Sequence, residues 1–542
     1  MAKGVDNFSN HSYNITMITE DNHSENKRVF HKHPNGTTYV YEILHNAWDP
    51  EKKQSRNIQR CIGKLDPETG EFIPSQRLGA HGAAALDPAV TARTSISGPA
   101  LLLNQIGKDI GLEKTLKKAC PRHWDQILSL AWYLVCEGNA LSHAKVWCRH
   151  HEVPTDQVLT SQRISDLLSE ITEDERQTFF KLWGRAMVEK DYLCYDITSV
   201  SSYAEQNEYV RYGYNRDGEK LPQINLGIVY GQMSFLPVIY RPLPGSLTDV
   251  KTLRNLLDQL DKLSFPKVHL ILDRGFWSQE NIDELAKGSY HFTVGVPSHL
   301  KLIREEMDRF RHQIDGPEGL RWMGQEAIYV HSRLLSWQGS RRRCYLHLTF
   351  DPEKMTEDYP LFDTNLLTFR DELEQGKRVP EHEEAYQRFF ICHETPKRGL
   401  MVNDNGEAIE AARKKQVGFS AILSTKFKDP LQALTIYRGK DGVEKCFDDL
   451  KNELDMKRLR VHRSDRMNNR LFIQFMALIL ISYIHQMIRE KLPKSGYTAK
   501  GILMELESLT TIHYSGRYKS KLSEATKAQK DIFQAFHVMI DS

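Results

Sequence analysis

No charge of one sign dominates this sequence: 73 basic against 71 acidic residues leave a formal charge of +2 over 542 residues. Attraction of the whole molecule to a polyanion is therefore excluded, and any such attraction must come from local patches. Paired cysteines are missing as well. The eight cysteines (Cys61, Cys120, Cys136, Cys148, Cys194, Cys344, Cys392 and Cys446) are scattered without a CxxC pair. That disfavours a zinc ribbon or a disulfide framework and fits a reducing cytoplasm. The opening stretch MAKGVDNFSNHSYN has no apolar run, so no secretory signal is expected. One long apolar run stands out, LFIQFMALILISYIHQMI at 471–488, but it carries Gln474, Ser482, His485 and Gln486. It reads as a buried core helix, not a membrane span. No internal repeat is evident.

What is present suffices for sizeable cores. Hydrophobic residues make up 40 % of the chain, and its length corresponds to about three to four domains. Residues 1–36, rich in Asn, His and Ser, are expected to be a disordered polar N-terminus. From 37 to 80, short β-type runs alternate with Asp-Pro and Thr-Gly turns, and Lys52, Lys53, Arg56, Arg60 and Lys64 are interleaved. This is the pattern of a small basic β module, compatible with a solvated surface or with DNA contact. RLGAHGAAALDPAV reads as a flexible connection. From 95 to 190, DQILSLAWYLVCEG and SEITEDERQTFFKLWGRAMVEK show helical apolar spacing, so an α-helical domain is expected, either touching DNA or supporting the next domain. His150 and His151 beside Cys148 lack a second ligand pair and read as structural.

At 191 the pattern changes. DYLCYDITS, INLGIVYGQ and FLPVIYRPL read as strands, DVKTLRNLLDQLDKL as a helix, KVHLILDRGF as a doubly buried strand, SQENIDELAKG as a helix and HFTVGV as a strand. The order β-β-β-α-β-α-β suits a mixed sheet with helices on its faces, where functional groups gather beyond strand ends. Residues 298–425 read as an inserted, β-rich subdomain with one charged helix at 352–377. Residues 426–490 add two helices, and 491–542 read as a polar helical tail.

Asp196 ends the apolar run LCY, and Asp273 follows HLIL. Each alone could cap a turn. Two ionised carboxylates at buried strand edges of one sheet, however, call for a shared cation. Further on, YRGKDGVEKCFDDLK places Tyr437, Lys440, Glu444 and Lys451 within one sector of a helical wheel, at about 100° per residue, beside an apolar stripe of Val443, Phe447, Leu450 and Leu454. Asp448 and Asp455 fall on nearly the same sector, so geometry alone does not single out Glu444. Gly439 and Gly442 each cost helix stability, about 1 kcal/mol, and make an irregular first turn.

These residues resemble a DDE-class insertion-sequence transposase of the family whose signature is Tyr, two residues, Arg, three residues, Glu, six residues, Lys. The spacing is kept here as Tyr437, Lys440, Glu444 and Lys451, with lysine in place of arginine. YDITS around Asp196, GYNRDGEKLPQINLGIVY at 213–230, GSLTD at 245–249 and DRGF at 273–276 also match, and the resemblance covers roughly 95–490.

The resemblance implies an RNase H-like catalytic core, interrupted by the β-rich insertion and preceded by the helical domain and the basic β module. It implies that Asp196, Asp273 and Glu444 are catalytic and bind two Mg²⁺ ions, with Mn²⁺ a possible substitute, for cleavage and joining of DNA. Tyr437, Lys440 and Lys451 would hold the DNA end, with lysine lacking the planar fork of arginine. The basic run KRLRVHRSDRMNNR, including Arg458, Arg460 and Arg463, would follow the phosphate backbone. The implied partners are double-stranded DNA, as terminal inverted repeats and target, and a second copy of the chain on that DNA, with no membrane and a cytoplasmic, nucleoid-associated location. A non-catalytic DNA-binding descendant and a nuclease without strand joining share the same core and stay open here.

Overall fold

The computed structural model describes residues 28–540 except 35, 50–53, 76–90, 139, 189–191, 205–206, 266–267, 299, 315, 337–342, 396–398, 460, 462 and 516–517. The flexible connection expected at 77–90 and residues 1–27 of the polar N-terminus lie outside the described residues. The chain divides into two compact units, 1–93 with 514–519, and 94–513 with 520–542.

The first unit is a four-stranded antiparallel meander: β1 (Arg28–Lys32), β2 (Thr38–Asp49), β3 (Gln54–Leu65) and β4 (Phe72–Pro74). Residues 28–32, inside the stretch expected to be disordered, form a strand. RVFHK at 28–32 carries the β-favouring Val29 and Phe30 and pairs with β2 from Arg28↔Glu42 to Lys32↔Thr38.

After β5 (Ala92–Ile96) the second unit has the helices α1 (Gly98–Asp109), α2 (Leu112–Ala119), α3 (Trp124–Cys136), α4 (Ala144–His150), α5 (Ser161–Glu170) and α6 (Glu173–Val188). The core runs without a break from these helices into the central sheet. Phe179 and Trp183 of α6 stack at 6.0 Å, and Phe179 meets the Phe472 ring edge-on at 5.3 Å. The His-rich segment is structural: His151 stacks on Trp147 at 4.1 Å and hydrogen-bonds the Trp147 carbonyl through Nδ1.

The expected β-β-β-α-β-α-β order is then seen as β6 (Tyr192–Ser202), β7 (Gln223–Gly231), β8 (Pro237–Pro244), α7 (Asp249–Lys262), β9 (His269–Leu272), α8 (Gln279–Lys287) and β10 (His291–Gly295). All residues of β7 and β9 are buried, as continuous apolar runs covered on both faces must be. Within the described residues of the central sheet, β10 pairs parallel with β9, and β6 pairs parallel with β9 and with the short strand Arg458–Leu459.

The stretch 298–425 differs most from its expected form as a separate β-rich insertion. After α9 (Lys301–Ile314), β11 (Leu320–Met323), β12 (Glu326–Ser336) and β13 (Arg343–Phe350) extend the central sheet itself. So does β16 (Phe419–Ser424), which pairs antiparallel with both β10 and β13. The sheet order is β11-β12-β13-β16-β10-β9-β6-β7-β8. Only α10 (Pro352–Glu374), α11 (Glu383–Phe389), the hairpin β14 (Phe390–Thr395) with β15 (Gly399–Asp404) and α12 (Gly406–Gln416) build a small core of their own, around Tyr386, Phe389 and Leu373.

After the sheet come α13 (Pro430–Arg438), α14 (Asp441–Asp448), a π-helical turn (Asp449–Glu453), β17 (Arg458–Leu459) and α15 (Ser464–Lys491). Helix α15 is long and apolar enough to cross a membrane, yet 78 % of its most apolar window is buried inside the protein, which makes it a core helix. The expected helical tail contains α16 (Ala499–Leu506) and α17 (Lys527–Ala535). It also has β18 (Thr510–Tyr514) and β19 (Lys521–Leu522), which form a small sheet with β5.

Candidate active site

The β6–β9 ladder runs from Tyr192↔His269 to Tyr195↔Leu272 and stops there. The next residue on each strand is an aspartate, Asp196 on β6 and Asp273 beyond β9. Asp196 is thus not at the end of its own strand, since β6 continues to Ser202. It sits where its neighbour leaves the sheet through the single turn Arg274–Phe276. Two carboxylates are brought side by side because parallel strands in register keep equivalent positions adjacent.

The glutamate arrives by a different route. A single helix is expected through 437–451, but the chain breaks at Gly439 and Lys440 into α13 and α14. Gly439 has helical φ of −60°, so its conformation does not require glycine. Close approach does: a Cβ there would overlap Gln232 Nε2, which donates to the Ile436 carbonyl at 3.1 Å. Val443, Phe447, Leu450 and Leu454, the expected apolar stripe, are all buried and leave Glu444 exposed on the side of the aspartates.

Lys440 and Tyr437 join the two halves. The Lys440 ammonium lies 2.8 Å from Glu444 Oε1 and 3.5 Å from Asp273 Oδ1, and the Tyr437 hydroxyl donates to Asp273 Oδ1 at 2.8 Å. Gly295, at the end of β10, makes room for this: a Cβ on it would overlap the Tyr437 hydroxyl. Arg216 and Asp249, an ion pair of 2.5 Å, both act electrostatically on Asp196. Neither they nor Gly295 are singled out by sequence reasoning. The signal was available for two of them, since Arg216 and Asp249 lie inside the GYNRDGEK and GSLTD blocks.

The two aspartates are pushed in opposite directions. Burial, with the charge of Asp273 adding to it, raises Asp196 to about 7 against the opposing Ile197 N–H and Arg216. Desolvation acts on the half-buried Asp273 as well, but Lys440, the Arg274 N–H and the Tyr437 hydroxyl together outweigh it and hold the carboxyl below the ordinary carboxylate range. Burial works against the charge on Lys440, yet Asp273 and Glu444 keep its ammonium above its usual value. Burial and Asp273 push the Tyr437 phenol up, so it stays a hydrogen-bond donor.

Of the other expected site residues, Lys451 is placed elsewhere. It lies within the π turn, and its ammonium binds both carboxylate oxygens of Asp217 at 2.7 Å. Arg458 pairs with Glu219 at 2.9 Å and Arg463 with Asp465 at 2.9 Å. Arg460 lies outside the described residues. Asp448, the rival of Glu444 on the wheel, accepts from Asn452 and lines a separate cavity of about 600 Å³ with Asp449 and His485.

Asp196, Asp273 and Glu444 offer hard carboxylate oxygens, the donor type that suits Mg²⁺. Among the described residues no three acidic, imidazole or thiol groups already converge as a metal cluster. The ammonium of Lys440 stands between Asp273 and Glu444. A cation is thus already accepted between these carboxylates, and the donor set fits a divalent ion in kind.

Residues 189–480 match the family described as Transposase DDE domain. No curated protein matches the chain. Among solved structures, the cryo-EM structure of a piggyBac transposase synaptic complex with hairpin DNA is similar over 76 % of this chain and 79 % of that one. The identity is 12 % and the TM-score 0.36, a likeness too loose to carry an argument.

Proposed function

Because this chain belongs to the Transposase DDE domain family, we propose that it is the transposase of a mobile element, cutting phosphodiester bonds at the element's ends and joining the freed strands to target DNA. The observation that carries this reading is the strand register that sets Asp196 beside Asp273, with Lys440 bridging Asp273 to Glu444 of the docked helix. We read the sheet and its helices as an RNase H-like core, and Tyr437, Lys440, Glu444 and Lys451 as the family's Tyr-Arg-Glu-Lys signature.

In the first step water attacks phosphorus, the bond to the 3′ oxygen breaks, and that oxygen leaves as a hydroxyl. In the second, the 3′-hydroxyl attacks a target phosphodiester and loses its proton, and the target's 3′ oxygen departs. Asp196, Asp273 and Glu444 would hold two Mg²⁺ ions, which supply activation of the nucleophile and stabilisation of the leaving oxygen. Tyr437 and Lys440 position the DNA strand beside Asp273, Tyr437 through its hydroxyl and Lys440 through its charge. Lysine there acts as a point charge without the bidentate fork of arginine. Lys451 acts indirectly, by anchoring the loop that carries Asp217 and Arg216. Double-stranded DNA is the substrate, and two copies of the chain on it would bring the two ends together.

The test is Mg²⁺-dependent cleavage and joining of element-end DNA. Asp196→Ala, Asp273→Ala and Glu444→Ala should each abolish both reactions while end binding survives. Undiminished cleavage by any one of them removes that residue from the site. Products that are only bound, only cut, or joined separate a non-catalytic descendant, a nuclease and a transposase.

A further inference from the structure

Helix α5 and the segment from β17 into α15 face each other across a cavity of about 510 Å³. Its lining includes Arg458, Arg463, Arg466 and Arg470 on one side and Ser161 and Ser165 on the other, with no carboxylate among the described lining residues. Two of these arginines do hold acids, Glu219 and Asp465, outside the lining, but exposed pairs of this kind are worth little and exchange readily.

The walls are fixed against each other. Asn469, 2 % exposed, donates to the carbonyls of Leu168 and Ile171 at 2.9 and 2.8 Å, and Arg466 Nε donates to Ser169 Oγ at 3.1 Å. Arg470 is 5 % exposed. Burial pulls its guanidinium down to about 10, which leaves it charged at neutral pH. Four guanidiniums and the hydroxyls of Ser142, Ser161 and Ser165 around a cavity with no carboxylate in its described lining form a receptor for phosphodiester oxygens.

Its place along the sheet agrees with one DNA strand running from the triad. Arg458 pairs with Ser201, five positions beyond Asp196 on β6, about 17 Å at roughly 3.3 Å per residue. That is about five nucleotides at roughly 3.4 Å each.

We propose that this cavity holds the backbone of duplex DNA a few nucleotides from the cut, with α5 of the helical segment as one wall. This rests on the reading of the chain as a transposase and assigns the helical segment a direct contact with substrate.

The test is fluorescence anisotropy of the full chain with a labelled duplex of arbitrary sequence, in EDTA, across a salt series. Ser165→Glu should weaken binding about tenfold and lower the slope of log K against log salt by about one for each phosphate no longer held. The neutral Ser165→Gln should bind like the parent, and circular dichroism should show all variants folded. Parent-like affinity and slope in Ser165→Glu overturn the proposal, as does equal weakening by Ser165→Gln, which would mean bulk and not charge. A parent that binds with this charge dependence yet never cuts DNA supports the cavity while removing the proposed activity.

Discussion

The two aspartates and the glutamate of the candidate site are held by very different kinds of structure. Asp196 and Asp273 stand on β6 and at the end of β9, strands whose side chains are almost wholly buried. Glu444 stands exposed on an eight-residue helix seated by glycines, between a break and a π turn. One half of the site is set by strand register, which cannot drift without turning every side chain to the wrong face. The other half is set by how closely a short helix docks, and is held to the sheet through Tyr437 and Lys440.

Truncation in the two halves should break this comparison most visibly. Leu270→Ala, in the centre of β9 and fully buried, is expected to cost about 2–5 kcal/mol in urea unfolding. Val443→Ala on α14, also buried, removes less volume and should cost only about 1–2 kcal/mol. Equal losses would mean that the helix is as firmly embedded as the sheet.

Gly439→Ala sharpens the contrast from the helix side. The new methyl displaces Gln232 and its bond to the Ile436 carbonyl, while alanine favours the helix by about 1 kcal/mol over glycine. Stability should therefore change by no more than about 1 kcal/mol, whereas Mg²⁺-dependent cleavage should fall about tenfold because α14 is pushed off its seat. Parent-like cleavage would show that Glu444 does not depend on that close approach.

The smallest effect concerns the sheet half alone. Asp196 is raised to about 7 in the folded chain and is near 4 when unfolded. Between these values the native state binds the extra proton, so stability falls as pH rises from about 4 to about 7. Urea titrations in EDTA should show that slope in the parent and lose it in Asp196→Asn. An unchanged slope in the variant would assign it to another group.

The same division governs what could be read in advance. The strand order from β6 to β10 was legible because apolar runs of strand length leave little choice of element, and both aspartates were visible as polar residues closing such runs. The extension of the sheet by β11, β12, β13 and β16 was not, because strands far apart in sequence carry no local sign of which sheet they join. Nor was the fate of Lys451: a helical wheel assumes an unbroken repeat, and the break at Gly439 and the π turn both violate it. The strands of the tail were hidden by their short length and mixed polarity.

By itself, the order of residues determined the elements of the central sheet, the buried character of α15 and the identity of the carboxylates, because these depend on hydrophobic pattern and side-chain chemistry. The tertiary structure alone decided that Lys440 stands between Asp273 and Glu444 while Asp448 lines a separate cavity, that Arg216 and Asp249 act on Asp196, and that Gly295 makes room for Tyr437. Those outcomes depend on register between distant strands and on contacts a fraction of a side chain wide.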